Sequence, residues 1–229
     1  MASDRNEPTV SETTFAPFKA VWRLGLAIVV MWFTHMAIHA VWVRYNGLEA
    51  GEHIRTQLDY YIPQSDPTGL AATMAEESTA LLKRSGLLVL IPAQPKNPST
   101  EDMRLGQGLQ RGLWAAFRPE IVAAIYSTVL YAAKLGIVIS LIPLLLLWLV
   151  AFGVDGLVQR YIRRVSAGRE SATIYHRAKL YGVKLLPPLA AVVFLCSPVA
   201  MHPAWVFLPA ALLSAILLRV QATYYKKYL

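Results

Sequence analysis

The chain has 229 residues and a formal net charge of +8, with 55% apolar residues and only 16% charged ones. Ordinary soluble domains carry about 25% charged residues and about 45–50% apolar ones on a count that also includes glycine, so this composition excludes a disordered chain or one that coats nucleic acid. The single cysteine, Cys196, excludes an intramolecular disulfide framework and any paired-cysteine metal motif.

Residues 1–20 are polar, carry mixed charge and contain Pro8 and Pro17; they read as a flexible tail. The first membrane helix is expected over 21–43. Leu24 to Val43 is a run of 20 residues without Asp, Glu, Lys or Arg, and a helix of that length crosses a bilayer core. Arg23 and Arg44 flank it, and Trp22 and Trp42 fall at the headgroup levels. The run starts too late and is too long for a signal peptide, and no small-x-small cleavage site follows it.

Residues 44–120 are expected to form a helical segment outside the membrane. Gly47 to Tyr61 reads as an amphipathic helix. Ala71 to Leu90 places Leu81, Leu82, Leu87 and Leu88 at helical spacing, with a break at Gly86. Ala93 to Ser99 is a loop. Ser99 then caps a helix, with Asp102 three residues on in the manner of a capping box; that helix extends through Trp114 and Phe117 to Arg118-Pro119. Without disulfides the segment is small for an independent core, so it should pack on the membrane surface or on a partner.

The second membrane helix is expected over 121–154. Leu135 to Val154 is another uncharged run of 20, and the apolar stretch reaches back to Ile121 interrupted only by Lys134. As one helix, those 34 residues measure roughly 50 Å, so the helix tilts or begins outside the membrane. Pro143 is expected to kink it. Residues 155–180 follow as a basic loop. Leu185 to Leu218 is uncharged again, but Pro198 and Pro203 lie in its middle and favour a turn. Two short helices result, about 181–198 and 203–221, irregular at Pro187-Pro188 and Pro209; a re-entrant hairpin is the alternative. Residues 222–229 form a short tail.

Charge sets the orientation. The segment 154–180 has six basic residues against two acidic ones, whereas 44–121 has eight against nine. Basic loops stay in the cytoplasm, so 154–180 lies inside and 44–121 outside. Four spans then put both termini inside, together with Lys226 and Lys227. The expected fold class is all-α: a polytopic membrane protein with about four transmembrane helices and a helical segment on the outer side.

Few residues carry candidate chemistry. His35 and His39, four apart, share one face of the first helix. A metal or haem site is one reading. Two histidines on one helix cannot approach a haem from both sides, and zinc or copper needs a third ligand; His39, His53 and His202 all fall near the outer end in this topology. Polar packing between helices is the reading we favour. Lys134 and Lys184 fall near helix ends and should snorkel to the headgroups. No Asp or Glu lies within a span, which argues against a proton-coupled carrier. Cys196 has no basic activator beside it in sequence and reads as an inert thiol. Glu76-Glu77 and Glu101-Asp102 are adjacent, so they point apart on a helix and make poor acid–base pairs. The phosphate-loop, serine-hydrolase elbow and zinc-protease motifs are missing. The expectation is a protein that is not an enzyme and has no catalytic residues, bound metal or cofactor.

The inner segment is the most distinctive. Arg160, Arg163, Arg164, Arg169, His176, Arg177 and Lys179 make a basic surface for partners or anionic lipid. No aromatic platform supports direct nucleic-acid contact. Within it, Val154-Asp155-Gly156-Leu157-Val158, Arg163-Arg164, Arg169-Glu170-Ser171 and Tyr175-His176-Arg177-Ala178-Lys179, with the closing Lys226-Lys227-Tyr228-Leu229, resemble the integrating-conjugative-element membrane protein family. That resemblance implies a bacterial inner-membrane accessory or assembly component of a type IV secretion-like DNA-transfer system. Its partners would be the lipid bilayer and other transfer proteins, a coupling ATPase among the candidates, and self-association is open. The resemblance brings no catalytic residues. The alternatives are a metal- or haem-binding membrane enzyme using His35 and His39, and a small membrane channel; the latter lacks repeats and membrane carboxylates.

Overall fold

A computed structural model describes residues 10–86, 105–166 and 172–224, and no strand occurs among them. The helices in chain order are α1 (Val10–Asn46), α2 (Ala50–Ser65), α3 (Leu70–Arg84), α4 (Leu105–Val165), α5 (Ala172–Lys179), α6 (Leu186–Cys196) and α7 (Pro203–Thr223). A π-helical stretch, Leu180–Leu185, joins α5 to α6. Four stretches are long and apolar enough to cross a membrane: Phe18–Asn46, Phe117–Val165, Tyr175–Cys196 and Pro203–Thr223. The all-α, four-span expectation is met.

Local chemistry sets the helix ends. After α1, Gly47 takes a φ of +63°. Its N–H donates to the Arg44 carbonyl at 3.4 Å, and that of Leu48 to the Val43 carbonyl at 3.0 Å. This paired return of bonds closes a helix on a left-handed residue, a conformation that costs glycine little. Asp66 opens α3, its carboxylate accepting from the Ala72 N–H at 3.0 Å. The break foreseen at Gly86 is present, since α3 ends at Arg84. His202 caps α7 by accepting from the Ala204 N–H at 3.2 Å, with Pro203 in the first turn, where a missing donor costs nothing.

Three expectations are corrected. First, α1 starts at Val10, inside the stretch read as a flexible tail; extending a helix that already exists costs less than nucleating one, and Ser11 to Phe18 contains no glycine. Second, α4 runs unbroken for 61 residues through Pro119 and Pro143, about 90 Å at helical rise. The helix expected to stop at Pro119 and the second membrane helix are one element. Packing along its length outweighs the single backbone bond that each proline removes. Third, the segment 155–180 is mostly helical rather than a loop, because α4 extends to Val165 and α5 covers Ala172–Lys179. The irregularity foreseen at Pro187-Pro188 takes the form of the π-helical stretch. Proline rings crowd the carbonyls one turn back, and the Leu186 N–H donates to Tyr181, five residues earlier. The tail before Val10, Leu87 and Leu88, the Ala93–Ser99 loop, the Ser99/Asp102 capping box, Arg169 and the residues after Tyr224 lie outside the described residues.

The long α4 is the mast on which the other helices dock at two levels. α1 runs antiparallel to its N-terminal half. Arg44 pairs with Glu120, Trp32 Nε1 donates to Thr128 Oγ1 at 3.2 Å, and Tyr131 donates to the Ile28 carbonyl at 3.0 Å. α2 and α3 pack on the same half. A Cβ on Gly136 of α4 would lie 2.7 Å from the Ala71 Cα, so only glycine lets α3 approach this closely. α7 docks on the C-terminal half of α4, where Arg219 pairs with Asp155 and Thr223 Oγ1 donates to the Gly156 carbonyl at 3.4 Å. The two levels meet where Tyr61, Leu130, Ile137 and Phe194 are fully buried, each worth about 1.5–3 kcal/mol relative to exposure in water. Outside this core the helices show exposed apolar faces, including Phe18, Val29, Phe33, Leu147 and Trp205; continuous faces of this kind suit lipid.

Candidate functional site

At the junction of the two levels, α6 ends inside the protein and the Ser197–His202 turn begins. The last carbonyls of a helix have no partners of their own and carry partial negative charge. Here the donors come from three other helices. Lys134 Nζ (α4) donates to the Ser197 carbonyl at 2.7 Å. His35 (α1) places Nδ1 2.5 Å from the Leu195 carbonyl, so Nδ1 carries the proton. Gln57 Nε2 (α2) donates to the Pro198 carbonyl at 2.6 Å. Tyr61 Oη (α2) accepts from the Met201 N–H at 3.1 Å. The turn is thus held by side chains from α1, α2 and α4.

Lys134 is 0% exposed, contrary to the expectation that it snorkels. It turns into the helix junction, where the end of α6 supplies an acceptor. No ion pair reaches it among the described residues. Its ammonium lies 5.3 Å from the centre of the Tyr61 ring and 5.9 Å from that of Phe194, within cation–π range. Lys184, by contrast, is exposed, as expected.

Beside Lys134 the histidines form a row. The His35 and His39 ring centres are 4.3 Å apart, and those of His39 and His53 are 5.6 Å apart. His35 also lies 5.4 Å from the Tyr131 ring. His35 and His39 are fully buried. Among the described residues, His35 Nε2 and both ring nitrogens of His39 have no hydrogen-bond partner. His53 is half-buried at the rim, with Nε2 3.0 Å from Gln57 Nε2. Burial, and then the nearby Lys134 ammonium, hold the His53 imidazole below its usual pKa. Burial raises the Tyr61 hydroxyl, with the Met201 N–H opposing. His35 makes the polar contact between helices that the sequence reading favoured, through the Leu195 carbonyl, whereas His39 contributes ring packing. Among the described residues, no group of three or more His, Cys, Asp or Glu side chains is arranged to hold a metal ion. His202 is occupied in capping α7.

The predicted basic surface lies at the opposite end of α4. Arg163 donates to Tyr224 Oη at 3.0 Å, and its guanidinium sits 4.0 Å from that ring's centre, tying α4 to the end of α7. Arg160 is half-buried, whereas Arg164, His176, Arg177 and Lys179 are exposed. Lys179 Nζ is 5.9 Å from the Tyr175 ring centre. Six of the seven named residues are therefore on described helices at one end of the molecule, joined by the Asp155–Arg219 pair, which sequence reasoning missed. It missed the roles of Lys134, Gln57 and Tyr61 as well. For Lys134 there was a signal, namely one lysine interrupting an apolar stretch of 34 residues.

Comparison with known proteins adds one finding. Residues 54–226 are similar to the DtrJ-like family, described as IncC plasmid conjugative DNA transfer protein DtrJ-like. No curated protein and no solved structure matches significantly. The matched region includes most of α2 and all of α3 to α7, and with them Gln57, Tyr61, Lys134 and the Ser197–His202 turn of the junction and the whole described basic end, but not His35, His39 or His53.

Proposed function

Because the chain belongs to the DtrJ-like family of conjugative DNA transfer proteins, we propose that it is a non-catalytic inner-membrane component of a conjugative, type IV secretion-like transfer apparatus. The family match over 54–226 is the observation that carries this reading. The four apolar helices support a membrane location, and the charge asymmetry supports a topology with the basic end of α4, α5 and α7 in the cytoplasm with both termini. At the buried junction the side-chain donors are spent on backbone carbonyls, a structural use of Lys134, His35 and Gln57.

In this reading Arg160, Arg163, Arg164, Arg169, His176, Arg177 and Lys179 meet other transfer proteins, with a coupling ATPase as the leading candidate, next to anionic lipid headgroups. Exposed Arg164 stands beside exposed Tyr161 and Val165 on α4, a mixture that suits a contact made at the membrane surface. The test is conjugation with the gene deleted and then restored. Restoration by wild type but not by a chain reversed at Arg164 and Arg177, with equal membrane levels, supports the docking role. Full restoration by the reversed chain rejects it.

A further inference from the structure

We propose that the His35–His39–His53 row beside Lys134 is a proton-sensitive latch, which holds the Ser197–His202 turn against α1 and α2 and releases it on acidification. This inference is independent of the role in DNA transfer.

The geometry carries it. The turn is fastened to the outer level by few bonds, chiefly Lys134 to Ser197, His35 to Leu195, Gln57 to Pro198 and Tyr61 to Met201. The titratable groups facing the row are His35 and His39 from α1, His53 and Tyr61 from α2, Tyr131 and Lys134 from α4, and Cys196 from α6. None is a carboxylate, so a second cation here meets only the first. The imidazoles are tilted against one another with centres 4.3 and 5.6 Å apart, and protonating one sets a positive charge against Lys134 in a water-poor site, where such repulsion is least screened. A proton can enter at His53, which is half-buried at the rim. His53 also touches Gln57, the residue that holds Pro198. Charging His53 therefore acts directly on one fastening and, through the row, on the Lys134 bond. The affinity of the docked state for protons is reduced, so acid favours the released state.

The experiment measures the distance between α2 and the start of α7. Nitroxide labels are placed at Arg55→Cys and Trp205→Cys, both exposed, in a Cys196→Ser background of the full chain. Distances are read by pulsed electron paramagnetic resonance at about pH 8 and about pH 5, on either side of the ordinary histidine range. The latch predicts one distance at the higher pH and a second, longer population at the lower. His53→Gln keeps the hydrogen-bonding capacity and removes the titration, so it should shrink the acid population; His53→Gln with His39→Gln should abolish it. Should the double variant not show the wild-type distance at the higher pH, His53→Gln alone decides, since its side chain lies at the rim. Identical distance distributions at both pH values overturn the proposal, as does an acid population that His53→Gln leaves unchanged.

Discussion

Lys134 on α4 and the Ser197 carbonyl at the end of α6 are 63 residues apart in the chain, yet they share a 2.7 Å hydrogen bond from which water is excluded. The bond joins the two levels of helices on α4, because the end of α6 meets α4 where α1 and α2 also reach it.

Removing the donor leaves a buried carbonyl without a partner. Lys134→Ala should lower the unfolding free energy by about 1–3 kcal/mol, with a further loss from the vacated volume. Thermal unfolding in detergent checks this. A midpoint equal to that of wild type contradicts the assigned role of the bond.

The contact between α3 and α4 is set by the absence of a side chain. Gly136→Val forces a branched side chain onto the Ala71 backbone, which a Cβ alone already meets at 2.7 Å. Overpacking of this kind costs about 1–3 kcal/mol. Gly51→Ala, with nothing within 4 Å, is the control, and it should be neutral or stabilising by a few tenths of a kcal/mol up to about 1. Equal unfolding midpoints for Gly136→Val and wild type would show that the two helices do not pack as described.

Much of this architecture is legible in the residues themselves. Uncharged runs of 20 residues locate α1 and the membrane part of α4, and Pro198 and Pro203 locate the turn between α6 and α7. Each of these signals is local, a matter of length or of a missing donor. The buried junction is not local. Whether Lys134 snorkels or turns inward depends on where Ser197 comes to lie, and no spacing within α4 encodes that. Gln57 likewise sits on the buried stripe of α2 with Ile54 and Tyr61, where its amide is explained only by the Pro198 carbonyl across the gap. The basic end was visible as composition, whereas the Asp155–Arg219 pair required the parallel docking of α7 on α4. Pro119 misled for a similar reason: proline predicts a break locally, but tertiary packing carries the helix through.

Stability should depend on pH in a definite direction. His53 titrates below its usual value of 6.5 in the folded chain because of burial and then Lys134. The folded state therefore binds fewer protons than the unfolded one as the pH drops below about 6.5, and its stability falls in that window; above it the contribution is complete. Melting curves across the window should show a declining midpoint, and His53→Gln should flatten the decline. A midpoint that rises on acidification through the same window would contradict the sign.

The basic end combines a structural arginine with free-standing ones. Arg163 is tied to Tyr224 through a hydrogen bond and ring stacking, so Arg163→Glu should loosen the end of α7 as well as any partner. Arg164 and Arg177 are exposed, and surface substitutions away from such ties stay within about 0.5 kcal/mol. Reversing these two should weaken crosslinking to neighbouring transfer proteins in native membranes without changing the unfolding midpoint. Undiminished crosslinking would place the partner surface elsewhere.

The central claim is a membrane-spanning chain with its basic end toward the cytoplasm, and labelling of single cysteines tests it most directly. In a Cys196→Ser background, Glu76→Cys on α3 and Arg164→Cys at the end of α4 both present exposed positions. A membrane-impermeant maleimide applied to cells whose outer membrane is permeable should label Glu76→Cys, and should label Arg164→Cys only after the inner membrane is broken. Labelling of Arg164→Cys with the inner membrane intact, or protection of both positions, would contradict the account.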